Sequence, residues 1–198
     1  MIKAIIFDLN GIFIQGEKLS ARFERDFGIP VREFLPELVL IMSKMRLPNA
    51  GKAFDYWKPV LDGWNIKLSE SEFFKYWFDG ERVSEEMITL ARELKGKGIL
   101  LIILSNNFKE RSVYYRQYPW MSNIFHAVYF SWKTGLVKPD AKVWRRALEE
   151  NRLNSNECLY FDDQEKNVKT AESLGIVSFL FIDSEHTRDS INKYVPNF

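Results

Sequence analysis

A chain of 198 residues, 46% of them hydrophobic and 28% charged, carries enough apolar material for a sizeable core, and one main domain with an insertion is the expectation. Its 28 Lys and Arg against 27 Asp and Glu give a net charge of +1 with the signs well mixed, so no basic stripe or tail argues for nucleic acid as a partner. No apolar run approaches a membrane span, the opening MIKAIIFD is too short for a secretory leader, and the lone Cys158 cannot close an internal disulfide, which together lead to the expectation of a cytoplasmic protein in a reducing compartment.

In chain order, the first strand is expected over residues 3–7, where an apolar run ends at Asp8 and continues as Leu9, Asn10 and Gly11. Residues 17–82 then show helical periodicity and no convincing strand. Leu35, Leu38, Val39 and Met42 recur at helical spacing, as do Phe54, Trp57 and Leu61, and then Phe73, Tyr76 and Trp77. Ser69 with Glu72 forms a capping box that opens the last of these helices. The segment is read as an all-helical insertion, residues 17–82, into a core made of residues 1–16 and 83–198. The aromatic residues of the insertion, Trp57, Trp64, Phe73, Phe74, Tyr76 and Trp77, are read as its interior in preference to a substrate wall, because they follow the helical repeat.

Beyond the insertion, helices and strands alternate. Met87, Leu90, Ala91 and Leu94 mark a helix that Gly96 and Gly98 terminate before a strand over residues 99–104. Further strands are expected over residues 127–130, 159–161 and 177–182. Between them, Ala141, Trp144 and Leu148 form one helical face, and Val168, Ala171 and Leu174 form another that stops at Gly175. One short helix is expected after Ile182. Several strands are apolar on both faces, as strands covered by helices on both sides are, so the fold class is α/β with a parallel sheet.

Three of these strands end in polar residues. The first ends at Asp8, the second at Ser105 and Asn106, and a later one at Asp162 and Asp163. The carboxyl ends of parallel strands share one side of the sheet, so these groups converge on one crevice, and Lys138 in GLVKPD is placed to reach it. Carboxylates crowded in this way repel one another, and a divalent cation relieves the repulsion; oxygen-only ligands suit Mg²⁺. The lysine and the metal would neutralise a phosphoryl group to which Ser105 and backbone N–H groups donate, and an aspartate can attack its phosphorus. His126 and His186 are too isolated for a zinc site, Ser105 has no nucleophile-elbow context, and Cys158 is read as packing.

With these residues in place, the sequence resembles the haloacid dehalogenase superfamily of phosphatases and related hydrolases. FDLNG resembles its nucleophile motif, LSN its hydroxyl motif, VKPD its lysine motif and YFDDQEKNV its acidic metal motif, in the family's order and over residues 3–175. The resemblance implies a Rossmann-like core with a cap after the first motif. VKPDAKVWRRAL and FDDQEKNV are also similar to the subgroup of bacterial sugar-phosphate phosphatases and the phosphatase domain of epoxide hydrolases. It further implies that Asp8 is nucleophile and metal ligand, that Ser105 and Asn106 with Lys138 bind the phosphoryl group, and that Lys138 steadies Asp8. Asp163 is taken as the direct Mg²⁺ ligand, with Asp162 beside it or acting through water, and the opposite assignment stays open. Asn167 is expected to position the acidic loop.

One position departs from the family pattern. Asn10 stands where the family usually has a second aspartate that protonates the leaving oxygen and then activates water. An amide cannot exchange that proton, which removes a contribution of about 10²–10⁴-fold, although the backbone carbonyl of Asn10 remains for the metal. Either Asn10 is an engineered inactivating change, or the native protein is a slow phosphatase, one suited to good leaving groups, or a non-catalytic binder. The expected function is an Mg²⁺-dependent phosphoric monoester hydrolase acting on a small phosphorylated metabolite. A haloacid dehalogenase, which dispenses with the metal that Asp162 and Asp163 point to, and a phosphorylated signalling receiver, which places its acidic pair early in the chain, fit less well. The sequence leaves the oligomeric state open, a homodimer included.

Overall fold

Strands that are apolar on both faces build the middle of the molecule. In the computed structural model, which describes residues 1–195, β1 (Ala4–Phe7) and the short β2 (Ile14–Gly16) lead into four helices. These are α1 (Leu19–Phe27), α2 (Val31–Met45), α3 (Ala53–Gly63) and α4 (Glu70–Asp79). The chain returns through β3 (Glu81–Val83) to α5 (Glu85–Gly96), β4 (Leu100–Ser105), α6 (Lys109–Tyr115), α7 (Pro119–Ile124) and β5 (Ala127–Phe130). It ends with α8 (Ser131–Thr134), α9 (Lys142–Glu150), β6 (Cys158–Asp162), α10 (Glu165–Ser173), β7 (Val177–Leu180) and α11 (Ser184–Asn192). No helix among the described residues is long and apolar enough to cross a membrane.

The main sheet has five strands in the order β5-β4-β1-β6-β7, and every pairing is parallel. Phe7 lies opposite Ile103 of β4 on one side and Phe161 of β6 on the other. The chain runs outward from β1 to β4 and β5, then crosses to β6 and β7 on the opposite side. The order therefore reverses between β1 and β6, and a crevice opens beyond the carboxyl ends of those two strands.

Side chains alternate across the sheet. Ala4, Ile6, Ile102, Leu104, Cys158 and Tyr160 face Val143, Trp144 and Ala147 of α9 and Ala171 of α10. Ile5, Phe7, Leu101, Ile103, Leu159 and Phe161 face the other way, onto the apolar stripe of α5 that begins with Met87 and Ile88 and onto Ile191 of α11. This is the α/β sandwich expected from the sequence, with a Rossmann-like parallel sheet between two helical layers.

The four helices between β2 and β3 form the inserted cap around a separate aromatic interior. Phe34 stacks on Trp57 at 5.5 Å between centroids, and Phe73 and Trp77 pack against the same indole at 5.3 and 5.8 Å. Phe108, from the segment after β4, completes this cluster and ties cap to core. The capping box at Ser69 and Glu72 is present. Trp57, Phe73 and Trp77 are buried as the helical repeat implies, whereas Trp64, Phe74 and Tyr76 are half-buried.

Two readings of this segment need correction. Residues 14–16 and 81–83 form an antiparallel ladder, with Ile14 opposite Val83 and Gly16 opposite Glu81, where no strand was expected. Three residues are too few for a period-2 pattern to register, and the ladder depends on a partner more than sixty positions away. Gly16, at φ +148, lets the strands meet; a Cβ there would lie 2.1 Å from the Gly80 carbonyl oxygen. In α2 the inward face is Phe34, Ile41, Met42 and Met45, while Leu35 and Val39 are 41% and 66% exposed. Phe34 sits within reach of Phe23, Trp57 and Trp64, and burying that larger ring sets the rotation of the helix against the aliphatic stripe.

Truncating the centre of the cap tests this account. Trp57→Ala should cost about 3–5 kcal/mol of unfolding free energy in urea titration. A loss under about 1 kcal/mol would mean the aromatic interior is not packed as described.

Candidate functional site

Strand alternation selects which polar groups meet. Asp8 follows Ala4 and Ile6 on the α9 side of β1, and its N–H continues the ladder by donating to Phe161 O at 2.9 Å. Asp162 follows Cys158 and Tyr160 on the same side of β6. Lys138 arrives from the loop before α9, the helix that covers this face. Its ammonium lies 2.9 Å from Asp8 Oδ1 and 2.6 Å from Asp162 Oδ2, and all three residues are buried.

Asp162 is held from every direction. Besides Lys138, its carboxylate accepts from the Tyr160 hydroxyl, from the Gln164 backbone N–H at 2.8 Å and from Asn167 Nδ2 at 3.0 Å to each oxygen. Asn167 thus ties the start of α10 to the end of β6. Asp163 is exposed, and its carboxylate turns back toward Gly11. Gly11 has φ +91, and a Cβ there would lie 2.5 Å from Asp163 Oδ2, so only glycine admits that carboxylate beside the first strand.

The carboxylates of Asp8, Asp162 and Asp163 offer oxygens that all lie within 4.8 Å of one another. Burial pushes the Asp8 carboxyl up to about 6; the Lys138 charge pulls it down and the Asp162 charge pushes it up again. Asp163 is pushed up to about 7, first by desolvation against the crowded wall and then by the charges of Asp8 and Asp162. Burial opposes the charge on Lys138, but Asp8 and Asp162 outweigh it and hold its pKa above the usual lysine value. Three acids against one buried base leave an excess of negative charge that a hard divalent cation suits. The carbonyl oxygen of Asn10 accepts no backbone hydrogen bond among the described residues, so it too is available. This all-oxygen set fits Mg²⁺.

Ser105 ends β4, the other neighbour of β1, and its hydroxyl is buried without a hydrogen-bond partner among the described residues. An orphaned donor at a strand end beside three acids and a lysine is free to donate to a ligand. Asn106, read as a substrate group, instead gives both ends of its amide to Lys138: Nδ2 donates to Lys138 O and Oδ1 accepts from Lys138 N, each at 2.8 Å. Its contribution is to fix the lysine loop, although it also borders the cavity.

The amide of Asn10 belongs to a directed chain. Asn107 Nδ2 donates to Asn10 Oδ1 at 3.2 Å, Asn10 Nδ2 donates to the Tyr115 hydroxyl at 2.7 Å, and Tyr115 donates to Glu81 Oε2 at 2.8 Å. Arg111 closes the chain as a salt bridge to Glu81. Burial drives the Tyr115 pKa well above its ordinary value, so the phenol stays protonated. The sequence reading missed Asn107, Tyr115, Glu81 and Arg111, which come from three separate elements with no common spacing. It also missed Tyr160, although the period-2 rule places that residue on the face of Asp162.

A family model for haloacid dehalogenase-like hydrolases matches residues 2–175. The chain is 24% identical over 220 residues to bifunctional epoxide hydrolase 2 of Rattus norvegicus, covering 97% of this chain and 38% of that protein. It therefore spans well under half the length of that relative. A sesquiterpene phosphatase of Aspergillus oryzae is 27% identical over 103 residues, 52% of this chain and 53% of the phosphatase. A haloacid dehalogenase-family enzyme of Bacteroides thetaiotaomicron, solved with magnesium and inorganic phosphate, shares the fold with a TM-score of 0.73 at 18% identity, covering 91% of this chain and 94% of that one.

The electrostatics predict a linked dependence on pH and metal. Asp8 and Asp163 keep their protons to higher pH in the folded chain than in the unfolded one. Their contribution to stability therefore falls as pH rises from about 4 to about 7 in metal-free solution. Mg²⁺ competes with those protons, so its thermal stabilisation should be larger at pH 8 than at pH 5. At 100-fold excess over Kd it should reach about 2.7 kcal/mol, several degrees in scanning calorimetry. An equal shift at both pH values would contradict this electrostatic account. Gly11→Ala should displace the Asp163 carboxylate and abolish most of the Mg²⁺-induced shift, and an unchanged shift would place the cation elsewhere.

Proposed function

The chain belongs to the haloacid dehalogenase-like hydrolases, and from that membership we propose that it is an Mg²⁺-dependent phosphatase of a small organic phosphate, acting through an aspartyl-phosphate on Asp8. The observation that carries this reading is the junction of Asp8, Lys138 and Asp162, with Asp163 turned in over Gly11 at the same strand ends. Asp8 and Asp163 would hold the cation together with the Asn10 carbonyl. Asp162, occupied by Lys138, Tyr160, Gln164 and Asn167, would orient the lysine and the acidic loop. When bound, Mg²⁺ would draw negative charge from the transferring phosphoryl group.

A carboxylate oxygen of Asp8 attacks phosphorus as the ester oxygen departs with the bonding pair. Lys138 holds Asp8 in place and offers charge to the phosphoryl oxygens, and the unpartnered hydroxyl of Ser105 donates to one of them. Water then attacks phosphorus, the Asp8–phosphorus bond breaks, and inorganic phosphate and the free carboxylate are regenerated. The departing alkoxide needs a proton and the attacking water must lose one. Asn10 supplies neither, so leaving groups that depart without protonation spare only the first step, and water attack on the phospho-aspartate, with its proton lost to solvent, stays slow for every ester.

A second reading, a binding protein built on the same site, is favoured by one observation. Both ends of the Asn10 amide are engaged, one by Asn107 and the other by Tyr115, so the side chain is held as a structural element. The two readings separate in a screen of phosphate esters with Mg²⁺. Asn10→Asp should raise turnover by about 10²–10⁴-fold on p-nitrophenyl phosphate as well as on esters with poor leaving groups, because all of them share hydrolysis of the phospho-aspartate. Asp8→Asn in that background should abolish it. If Asn10→Asp releases phosphate from no ester, the binding reading replaces the enzyme.

A further inference from the structure

The cavity that opens on Asp8 and Asp163 has a volume of about 450 Å³, a size that encloses a whole small molecule rather than a single phosphate ion. Its lining includes Met42, Arg46 and Trp77 from the cap. Most of its cations are already neutralised or lie in solvent. Lys138 is paired with Asp8 and Asp162, Arg111 is paired with Glu81, and Lys18 and Lys166 are exposed at the rim. Buried Arg22 donates to the Trp77 carbonyl at 3.0 Å and stacks over Tyr76, which gives it a structural place.

Arg46 differs. It is half-buried just past the end of α2, and its Nε donates to Met42 O at 2.7 Å. Its other guanidinium nitrogens make no hydrogen bond or ion pair among the described residues. Burial lowers its pKa and no carboxylate offsets the effect. Stabilising the end of a helix dipole accounts for a cation at this position. It does not account for free guanidinium donors on a residue that lines the same cavity as the candidate phosphoryl site. A guanidinium fork matches a carboxylate or phosphate in two parallel hydrogen bonds.

We propose that Arg46 binds a second anionic group of the substrate, a carboxylate or a second phosphate, at the cap end of the cavity. The ligand is then a two-headed anion, with one phosphoryl group at Asp8 and another negative group at Arg46. This rests on the phosphatase reading, because the first head is placed by the site at Asp8. The cap thereby selects by charge as well as by shape, and esters with an uncharged tail forgo the second contact.

Non-hydrolysable ligands test this without requiring turnover, so Asn10 does not interfere. Titration calorimetry in Mg²⁺ would compare alkylphosphonates with ω-carboxyalkylphosphonates and with alkane bisphosphonates, over spacers of two to five methylene groups. At least one two-headed spacer length should bind about 10-fold or more tightly than its alkyl counterpart, and whether carboxylate or phosphonate wins identifies the second head. Arg46→Gln should bring that ratio close to one, and Arg46→Lys should restore part of it, with thermal unfolding confirming that both variants fold. A ratio near one at every spacer in the parent chain, or a ratio unchanged in Arg46→Gln, overturns the proposal and leaves the phosphoryl site standing. If no phosphonate of either kind binds, the phosphoryl site itself falls, and this inference with it.

Discussion

The ammonium of Lys138, buried between the carboxylates of Asp8 and Asp162, is the contact on which the rest of the site depends. It joins the end of β1, the end of β6 and the loop before α9, three segments that share no local sequence. Removing charges from water is costly, and only close pairing with further hydrogen bonds offsets the cost. Tyr160, Gln164 and Asn167 supply those bonds to Asp162. Trp144, packed edge-on against Tyr160 at 5.4 Å, supports the phenol from the α9 side. The pairing is nevertheless incomplete, because one cation faces three acids. Burial first and the neighbouring carboxylates second displace Asp8 and Asp163 upward, and a bound metal would favour their charged forms.

A second network, built around Asn10, runs from the strand end toward the base of the cap. Its donors and acceptors follow one direction, from Asn107 through Asn10 and Tyr115 to Glu81. An amide satisfies both neighbours, since it accepts from one and donates to the other. A carboxylate in its place would face the Tyr115 oxygen with another acceptor, and the single phenolic proton would then serve both residue 10 and Glu81. The surroundings thus fit the amide as it stands. Glu81 begins β3, the strand that closes the insertion, so the same chain links the acidic strand ends to the root of the cap.

The cap and the sheet divide the chemistry between them. The carboxyl ends of the inner strands present the groups that would act on a phosphoryl centre, and these sit on a frame of parallel strands buried on both faces. The cap supplies the remaining wall of the cavity, including Met42, Arg46 and Trp77, on helices whose mutual packing is mostly aromatic.

The strands, the helical insertion and the polar strand ends were legible in the sequence because each is a local pattern. Apolar runs of four to six residues, capping residues and glycine stops act within a few positions of themselves. Asp8, Ser105, Lys138, Asp162 and Asp163 were legible for a related reason, since each lies where a strand or a helix approach must end. The β2–β3 ladder, the rotation of α2 that exposes Val39, the Asn10–Tyr115–Glu81 chain and the isolation of Arg46 were decided only in the folded chain. Each is settled by competition among distant groups for one volume or one proton: Phe34 against Leu35 for the cap interior, and Tyr115 against any other donor for Glu81. Such competition has no period along the chain, so only the tertiary structure resolves it.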